Sequence, residues 1–359
     1  MGANVELRTL ERLSGKYLEM IASSMESILP RTADETFLSR VSGLSGMRFD
    51  AEAITKSVNV PAWDLLDRGG KRWRPILAML TYEALGGRVE EIVDLAVVTE
   101  LIHNGTLAVD DVEDQSELRR GKPCVHVVYG VDVAINMGNT LYFLPIVAAL
   151  RRGSVPRSVV EKVLSVFAEE MTNLSLGQAI DIAWHRSLSS SYDEDAYLTM
   201  CSLKTGSLVR MGMRFACALA NADPVTERAL IRFGDSIAVA FQIQDDILNL
   251  IGDEQEYGKE IGGDIREGKR TLMVIHAIRT LPRERSKRLA EIINSGPSDP
   301  NLIREAIDMM VSAGSIEYAR AFSRRIVTDA WTELDGKLSD SEPKRALREL
   351  SEFLITRSR

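Results

Sequence analysis

Apolar residues recur every three or four positions along most of this sequence, and that period admits one kind of backbone. Between Pro156 and Ile180 they fall at Val160, Val163, Leu164, Phe167, Met171 and Leu174, one face of a helix with about 3.6 residues per turn. Helix boundaries are marked as well. Asp223-Pro224 and Asp299-Pro300 each set a capping carboxylate before a proline suited to a first helical turn, and Gly296-Pro297 closes a preceding helix. No run of alternating β-branched residues bounded by hairpin turns accompanies them, so strands are expected only as minor pieces. The fold class is therefore read as all-α. At 359 residues, 45% of them hydrophobic, the chain can bury one large core or two ordinary ones.

Residues 1–60 read as an N-terminal helical extension, with Leu7, Leu10, Leu13, Tyr17 and Ile21 at helical spacing and a Ser/Gly-containing connector near Ser42 to Gly46. Residues 61–359 read as the main domain. The polar face of the extension is mixed rather than basic, which favours packing against the bundle or a partner subunit over docking on a membrane. Lys and Arg number 44 against 52 Asp and Glu, and no long basic run exists to track a phosphate backbone, so nucleic acid is an unexpected partner. Cys124, Cys201 and Cys217 are dispersed and lack metal-ligand spacing, as expected of reduced thiols in the cytoplasm. No export or transit signal is expected at the start of the chain. Apolar stretches such as Leu141 to Leu150 are about half of the ~20 residues that cross a bilayer, so no transmembrane segment is expected.

Chemistry is carried by two acidic clusters and several basic ones. In Asp110-Asp111-Val112-Glu113-Asp114 the outer two carboxylates stand one helical turn apart on one face, with Asp111 beside them. Asp245-Asp246-Ile247-Leu248-Asn249 repeats the arrangement inside the apolar stretch Ile237 to Ile251. Carboxylates that interrupt an apolar helix destabilise it unless something compensates, and a hard divalent cation with oxygen ligands does so. Two such helices facing each other would cradle Mg²⁺ inside a bundle. The cations lie in Gly69-Gly70-Lys71-Arg72-Trp73-Arg74-Pro75, in Arg119-Arg120-Gly121, at Lys204-Thr205, and at Lys259 and Lys269. Guanidinium groups grip diphosphate oxygens in pairs and lysines act as point charges. Acids and bases together suggest one metal-bridged diphosphate, one metal-free diphosphate, and so two substrates.

The ordered set GGKRWRP, DDVED, LRRG, GQAID, KTG, FQIQDDILN and GKEIGGD, over roughly residues 60 to 280, resembles the trans-isoprenyl diphosphate synthases, the farnesyl and geranylgeranyl diphosphate synthase family. The resemblance implies a single large helical bundle with a central active-site cavity, a homodimer, and residues 61–359 as its catalytic domain. It implies condensation of isopentenyl diphosphate with dimethylallyl, geranyl or farnesyl diphosphate, with three Mg²⁺ ions. Asp110, Asp111, Asp114, Asp245 and Asp246 would form the metal cluster, with Asp245 on the third ion. Lys71, Arg74, His103 and Arg120 match positions that hold isopentenyl diphosphate. Arg119, Lys204 and Lys269, with Lys259 nearby, match those touching the allylic diphosphate, and Gln178 and Asp181 complete the wall. Thr205 and Gln242 match residues whose oxygens face the developing allylic cation.

Among the remaining candidates, His126, His185 and His276 are read as structural, Arg72 and Glu113 as surface or supporting charges, and Cys124 as inert. Asn249 stands where many relatives carry a third Asp, a pattern that resembles animal and fungal geranylgeranyl synthases. Gly105 and Thr106 occupy the fifth and fourth positions before Asp110. Both are small, which implies a pocket open to a geranylgeranyl or longer product, with Tyr142 and Phe143 as a deeper floor. The rival readings are a longer-chain synthase, a class I terpene cyclase, and a non-catalytic partner subunit. Cyclases need no second diphosphate site, and non-catalytic subunits tend to lose one Asp cluster.

Overall fold

The capping residues read in the sequence bound helices where they stand. Asp223 Oδ1 accepts the backbone N–H groups of Val225 and Thr226 at 2.9 and 3.1 Å, and Asp299 Oδ1 accepts that of Asn301 at 2.9 Å. Gly296 leaves its helix in the left-handed region, at φ 55°. Such caps satisfy groups that a helix end leaves without an intrahelical partner. The computed structural model describes residues 3–189, 192–252 and 261–356, with side chains from residue 15 onward.

In chain order the helices begin with α1 (Ala3–Ile28), α2 (Glu35–Ser42), α3 (Ala51–Ile54), a π-turn at Thr55–Asn59, α4 (Val60–Asp67), α5 (Trp73–Ala84), α6 (Val89–Glu113), α7 (Val125–Tyr129) and α8 (Val131–Arg151). They continue with α9 (Val160–His185), α10 (Glu194–Cys201), a second π-turn at Ser202–Gly206, α11 (Ser207–Ala220), α12 (Pro224–Ile251) and α13 (Gly263–Arg266). The last five are α14 (Leu272–Thr280), α15 (Arg283–Ser295), α16 (Pro300–Ser312), α17 (Ser315–Asp335) and α18 (Glu342–Thr356). Among the described residues the strands are β1 (Leu118–Arg119) and β2 (Lys122–Pro123), paired antiparallel with Leu118 opposite Pro123. The fold is all-α with one minor hairpin.

The chain divides into two compact units. The first comprises Met1–Phe167, Met211–Glu227 and Leu338–Glu349, and the second Ala168–Arg210, Arg228–Lys337 and Leu350–Arg359. Residues 1–60 fall within the first. There α6 packs against α5 and α8, and α1 packs against α6 and α5. Tyr17, Ile21, Met25 and Ile28 of α1 are buried. Beneath them Asp94 of α6 accepts from Ser24 of α1 at 2.7 Å, from Arg152 at 2.8 Å and from Ser154 at 2.9 Å. Asp94→Ala is expected to lower the unfolding free energy by about 2–3 kcal/mol, the cost of leaving charged and hydroxyl donors without their shared acceptor. Denaturant titration of the variant measures it.

Two segments, Val89–Glu113 and Val131–Arg152, are long and apolar enough to span a membrane by length and composition, which corrects the expectation of stretches about half that length. The reason is that both carry polar residues within the helix, so no continuous apolar run shows. In the first, 72% of the apolar window is buried inside the protein, and Asp94, Glu100, Asn104 and Asp111 are buried along it. This is a core helix. In the second, 44% is buried.

The second unit is organised on a core in which Leu272, Met273 and Val274 of α14 meet Tyr197 of α10, Ile243 and Ile247 of α12, and Phe322 of α17. That core fixes the inner faces of α10 and α12, and so where their polar residues emerge.

Candidate active site

In the first unit the basic motifs converge around His103. The loop before α5 turns through Gly69 and Gly70 at φ 89° and 144°, and Arg72 at φ 50°. A side chain at Gly70 would place its Cβ 3.2 Å from Arg120 Nη2, so glycine there lets the backbone approach a guanidinium. The β1–β2 hairpin turns on Arg120 and Gly121, at φ 54° and 72°. Both residues of this two-residue connection are left-handed, as hairpin twist requires, and the turn holds Arg120 Nη1 against the Leu65 carbonyl at 3.1 Å.

The cluster is heavily cationic. Burial lowers the His103 pKa well below its ordinary value of 6.5, and Arg74, Arg120, Arg119 and Arg72 lower it further. Burial pushes Arg74 down to about 10. Arg120 is also pushed down to about 10, by burial and then by Arg72. Two buried carboxylates answer them: Glu100 accepts from Arg72 at 2.6 Å, and Asp111 accepts from Arg119 through Nε at 2.9 Å and through Nη2. Arg72, read as a surface or supporting charge, is half-buried and ion-paired to Glu100, a supporting charge rather than a surface one. Lys71 is exposed.

His103 is therefore neutral in the folded chain at ordinary pH. Its folded pKa is depressed, so the unfolded chain binds the proton first, and stability falls as pH drops below about 6.5. His103→Gln is expected to flatten that acid limb, which thermal melting between pH 5 and 8 reads, with histidine NMR showing no protonated His103 at about pH 6.

The first acidic cluster ends α6. Asp110, Glu113 and Asp114 are half-buried, and Asp111 is wholly buried. Asp111 Oδ2 is buried with no hydrogen-bond donor against it. A buried carboxylate oxygen in that state suits a hard divalent cation. Among the described residues no three Asp, Glu, His or Cys side chains stand close enough to hold a metal ion. Like charges repel, and a cation is what would draw such oxygens together. Cys124 lies beside Asp111, and burial with that carboxylate pushes its thiol up to about 12, in keeping with an inert cysteine.

In the second unit an ion pair and a separate hydrogen-bonded chain start from neighbouring residues of the second π-turn. Lys204 Nζ donates to Asp181 Oδ2 of α9 at 2.6 Å. Thr205 Oγ1 donates to Gln242 Oε1 of α12 at 2.9 Å, and Gln242 Nε2 donates to Asp246 Oδ1 at 2.8 Å. The Tyr197 hydroxyl of α10 donates to Asp246 Oδ2 at 2.7 Å. Asp246 is buried, and burial followed by the Asp264 carboxylate raises its pKa to about 7. The compensation that the sequence reading sought in a cation is supplied for Asp246 by Tyr197 and Gln242. Asp245 beside it and Gln178 on α9 are half-buried. Lys269 pairs with Glu267 and approaches Asp264 at 3.8 Å. Asn249 Oδ1 accepts the backbone N–H of Asp264 at 3.0 Å, anchoring the loop that bears Lys269. Lys259 lies outside the described residues.

Sequence reasoning missed Glu100, Tyr197 and the ion cluster around Arg210. A charged side chain at a position that the apolar period assigns to the core was the available signal for Glu100 and Arg210. Tyr197 carried none.

The sequence matches the polyprenyl synthetase family over residues 55–310. It is 36% identical over 293 residues to the short chain isoprenyl diphosphate synthase of Methanocaldococcus jannaschii, covering 82% of this chain and 87% of that one. It is 34% identical over 300 residues to the geranylfarnesyl diphosphate synthase of Aeropyrum pernix, covering 82% and 92%. The fold superimposes on the crystal structure of geranylgeranyl pyrophosphate synthetase from Pyrococcus horikoshii with a TM-score of 0.78 at 31% identity, covering 95% of this chain and 99% of that one.

Proposed function

Since the chain belongs to the polyprenyl synthetase family, we propose that it is a prenyltransferase that joins isopentenyl diphosphate to an allylic diphosphate and releases diphosphate, with geranylgeranyl diphosphate as its product. The observation that carries this reading is the nest around His103. Four guanidinium groups act on one half-buried imidazole there, and buried carboxylates pair with two of them, Glu100 with Arg72 and Asp111 with Arg119. Guanidinium groups gathered at one place suit a multiply charged anion such as a diphosphate, whose oxygens they grip in pairs. Lys71, Arg74, His103 and Arg120 would hold isopentenyl diphosphate, His103 as a neutral hydrogen-bonding group.

The allylic diphosphate would meet Arg119, Lys204 and Lys269, with Lys259 nearby and Gln178 and Asp181 along the wall. Asp110, Asp111, Asp114 and Asp245 would hold Mg²⁺, in the three-ion set that the resemblance implies. Bound there, Mg²⁺ would draw negative charge off the leaving diphosphate. Arg119 and Lys204 do the same from the protein, so that the allylic C–O bond breaks with its electrons on the diphosphate. The hydroxyl of Thr205 and the amide of Gln242, fixed to each other and through Asp246 to Tyr197, present oxygen dipoles to the resulting cation. The isopentenyl double bond attacks that cation to form the new C–C bond, and the tertiary cation this leaves loses a proton from the neighbouring carbon to the departing diphosphate, the C–H electrons forming the new double bond. Asp246 in this reading holds Gln242 and sits beside the metal ligand Asp245.

We further propose residues 61–359 as the catalytic portion, with residues 1–60 a helical extension packed on it, and a cytoplasmic enzyme, in keeping with three buried cysteines in no disulfide. A homodimer is supported by exposed apolar residues on α7 and α8, namely Val127, Val128, Val131, Ile135 and Phe143. The protein is expected to sediment at twice its 39.8 kDa mass, and Ile135→Asp with Phe143→Asp to shift it to monomer. The reaction is tested by incubating purified protein with Mg²⁺, isopentenyl diphosphate and, separately, dimethylallyl, geranyl and farnesyl diphosphates, with products read by mass spectrometry. Elongation ending at geranylgeranyl diphosphate is the expected result. No elongation by folded protein overturns the reading, and hydrocarbon release without isopentenyl diphosphate would make it a cyclase.

A further inference from the structure

The second unit contains an ion cluster to which the proposed reaction gives no task. Arg210 lies one turn into α11, with its side chain 10% exposed. Its Nη2 donates to Glu170 Oε2 of α9 at 2.9 Å and to Ser207 Oγ at 3.2 Å. Its Nη1 donates to Asp235 of α12, to the Ser202 carbonyl at 2.8 Å and to Ser202 Oγ at 3.0 Å. Ser202 Oγ donates in turn to Asp235 at 2.8 Å, and Ser207 Oγ to the Leu203 carbonyl. One guanidinium thus grips both ends of the π-turn Ser202–Gly206 and ties them to α9 and α12.

The glycines around the turn fit this account. A Cβ on Gly206 would lie 2.6 Å from Arg210 Nη1 and 2.5 Å from Asp235 Oδ1. A Cβ on Gly177 of α9 would lie 2.3 Å from the Lys204 backbone nitrogen. Neither position has room for a methyl group, so the turn is held in contact with the guanidinium and with the α9 backbone.

A buried ion cluster is a weak source of stability, because apolar side chains of the same volume usually serve as well. It supplies something they lack: several directed hydrogen bonds on a fixed fork. A π-turn has use for them. Its extra residue shifts the side-chain register by about 100° relative to a continuous α-helix, and the form is rare, occurring mostly as single turns inside α-helices and frequently at functional sites. Relaxation to α-helical pairing would swing Lys204 away from Asp181 and Thr205 away from Gln242.

We propose that Arg210 is a positioning residue, which through Glu170, Asp235 and Ser202 holds the π-turn so that Lys204 points at the allylic diphosphate and Thr205 at the allylic cation it leaves. The kinetic part of this rests on the roles given above to Lys204 and Thr205. The part that concerns the turn stands on geometry alone.

The test uses the full-length protein and the variants Arg210→Gln, Arg210→Lys, Lys204→Ala and Arg210→Gln with Lys204→Ala. Amide hydrogen exchange is followed by mass spectrometry in peptides covering residues 198–208 and 272–292. In Arg210→Gln, exchange in 198–208 is expected to rise about tenfold while 272–292 is unchanged. The kcat is expected to fall about 30-fold, with the KM for isopentenyl diphosphate within about threefold of the parent, because the loss falls on the allylic side. Added to Lys204→Ala, Arg210→Gln is expected to lower kcat by less than about threefold further, since residues that act through one another are not additive. If Arg210→Gln fails to fold, Arg210→Lys carries the test, because a lysine reaches one carboxylate but not the Ser202 carbonyl as well. Unchanged exchange in 198–208, or losses that multiply in the double variant, would overturn the proposal. Full turnover by Lys204→Ala would instead overturn the role of Lys204, and the exchange measurement would then decide alone whether Arg210 holds the turn.

Discussion

Asp111→Asn is expected to lower turnover by about a thousandfold in protein that remains folded. Asp111 is wholly buried, its Oδ1 accepts two bonds from Arg119, and its Oδ2 has no donor against it. Asparagine keeps the volume and can still accept from Arg119, but it puts an N–H group where the orphaned oxygen was. A donor there repels the cation that the carboxylate would hold. Arg119 also loses its charged partner, and breaking a buried pair from one side costs about 3–5 kcal/mol, so the assay belongs well below the melting temperature. Two readouts separate the causes. Mg²⁺ with inorganic diphosphate should raise the melting temperature of the parent and leave that of Asp111→Asn nearly unmoved. The Mg²⁺ concentration for half-maximal rate should rise in the variant. Normal turnover at saturating Mg²⁺ would remove Asp111 from the ligand set and leave it as the counter-ion of Arg119.

Local signals carried the fold, and charge placed inside apolar helices is what marked the candidate site. The Asp223 and Asp299 caps are local devices, and they close helices where the sequence puts them. Asp111 and Asp246 were legible because a carboxylate in an apolar helix demands compensation. What compensates them was not legible, since it comes from elements distant in sequence: Arg119 across a hairpin, and Tyr197 from another helix. The π-turn at Ser202–Gly206 has no composition of its own, so Lys204 and Thr205 could be singled out while the device that aims them could not. The Arg120–Gly121 turn is a further case. Its first residue adopts φ 54°, where Asn or Gly would be the local preference, and bonds to the Leu65 carbonyl and the proximity of Gly70 keep it there. Gly105 was legible as small but misread in consequence, because smallness that opens a pocket and smallness that admits a neighbouring helix look alike in one sequence.

That misreading changes which variant should report on product length. Gly105→Phe, the natural choice if Gly105 lined the pocket, is expected to destabilise the protein by about 4 kcal/mol or more rather than shorten the product. A Cβ at Gly105 would lie 2.9 Å from the Gly138 carbonyl oxygen and 2.9 Å from Leu141 Cβ. A Cβ at Gly138 would lie 2.5 Å from Val109 Cγ2. Helices α6 and α8 therefore cross on two glycines, with no space for a ring. The aromatic group at this level comes from α8 instead: Tyr142 Cδ1 lies 3.4 Å from the position of the missing Gly105 methyl. Burial raises the Tyr142 hydroxyl pKa, and the Glu113 and Asp110 carboxylates raise it further, so the ring lies within electrostatic reach of the cluster that would hold the allylic diphosphate. Removing it would open space beside that cluster while leaving the Gly105 and Gly138 backbones in contact. Tyr142→Ala is expected to extend the longest product by at least about one isoprene unit while costing about 3 kcal/mol of stability. Mass spectrometry of the products at equal conversion reads the first, and denaturant titration the second. An unchanged product distribution from folded Tyr142→Ala would place the floor elsewhere, and a stable Gly105→Phe with a shortened product would restore Gly105 to the pocket wall.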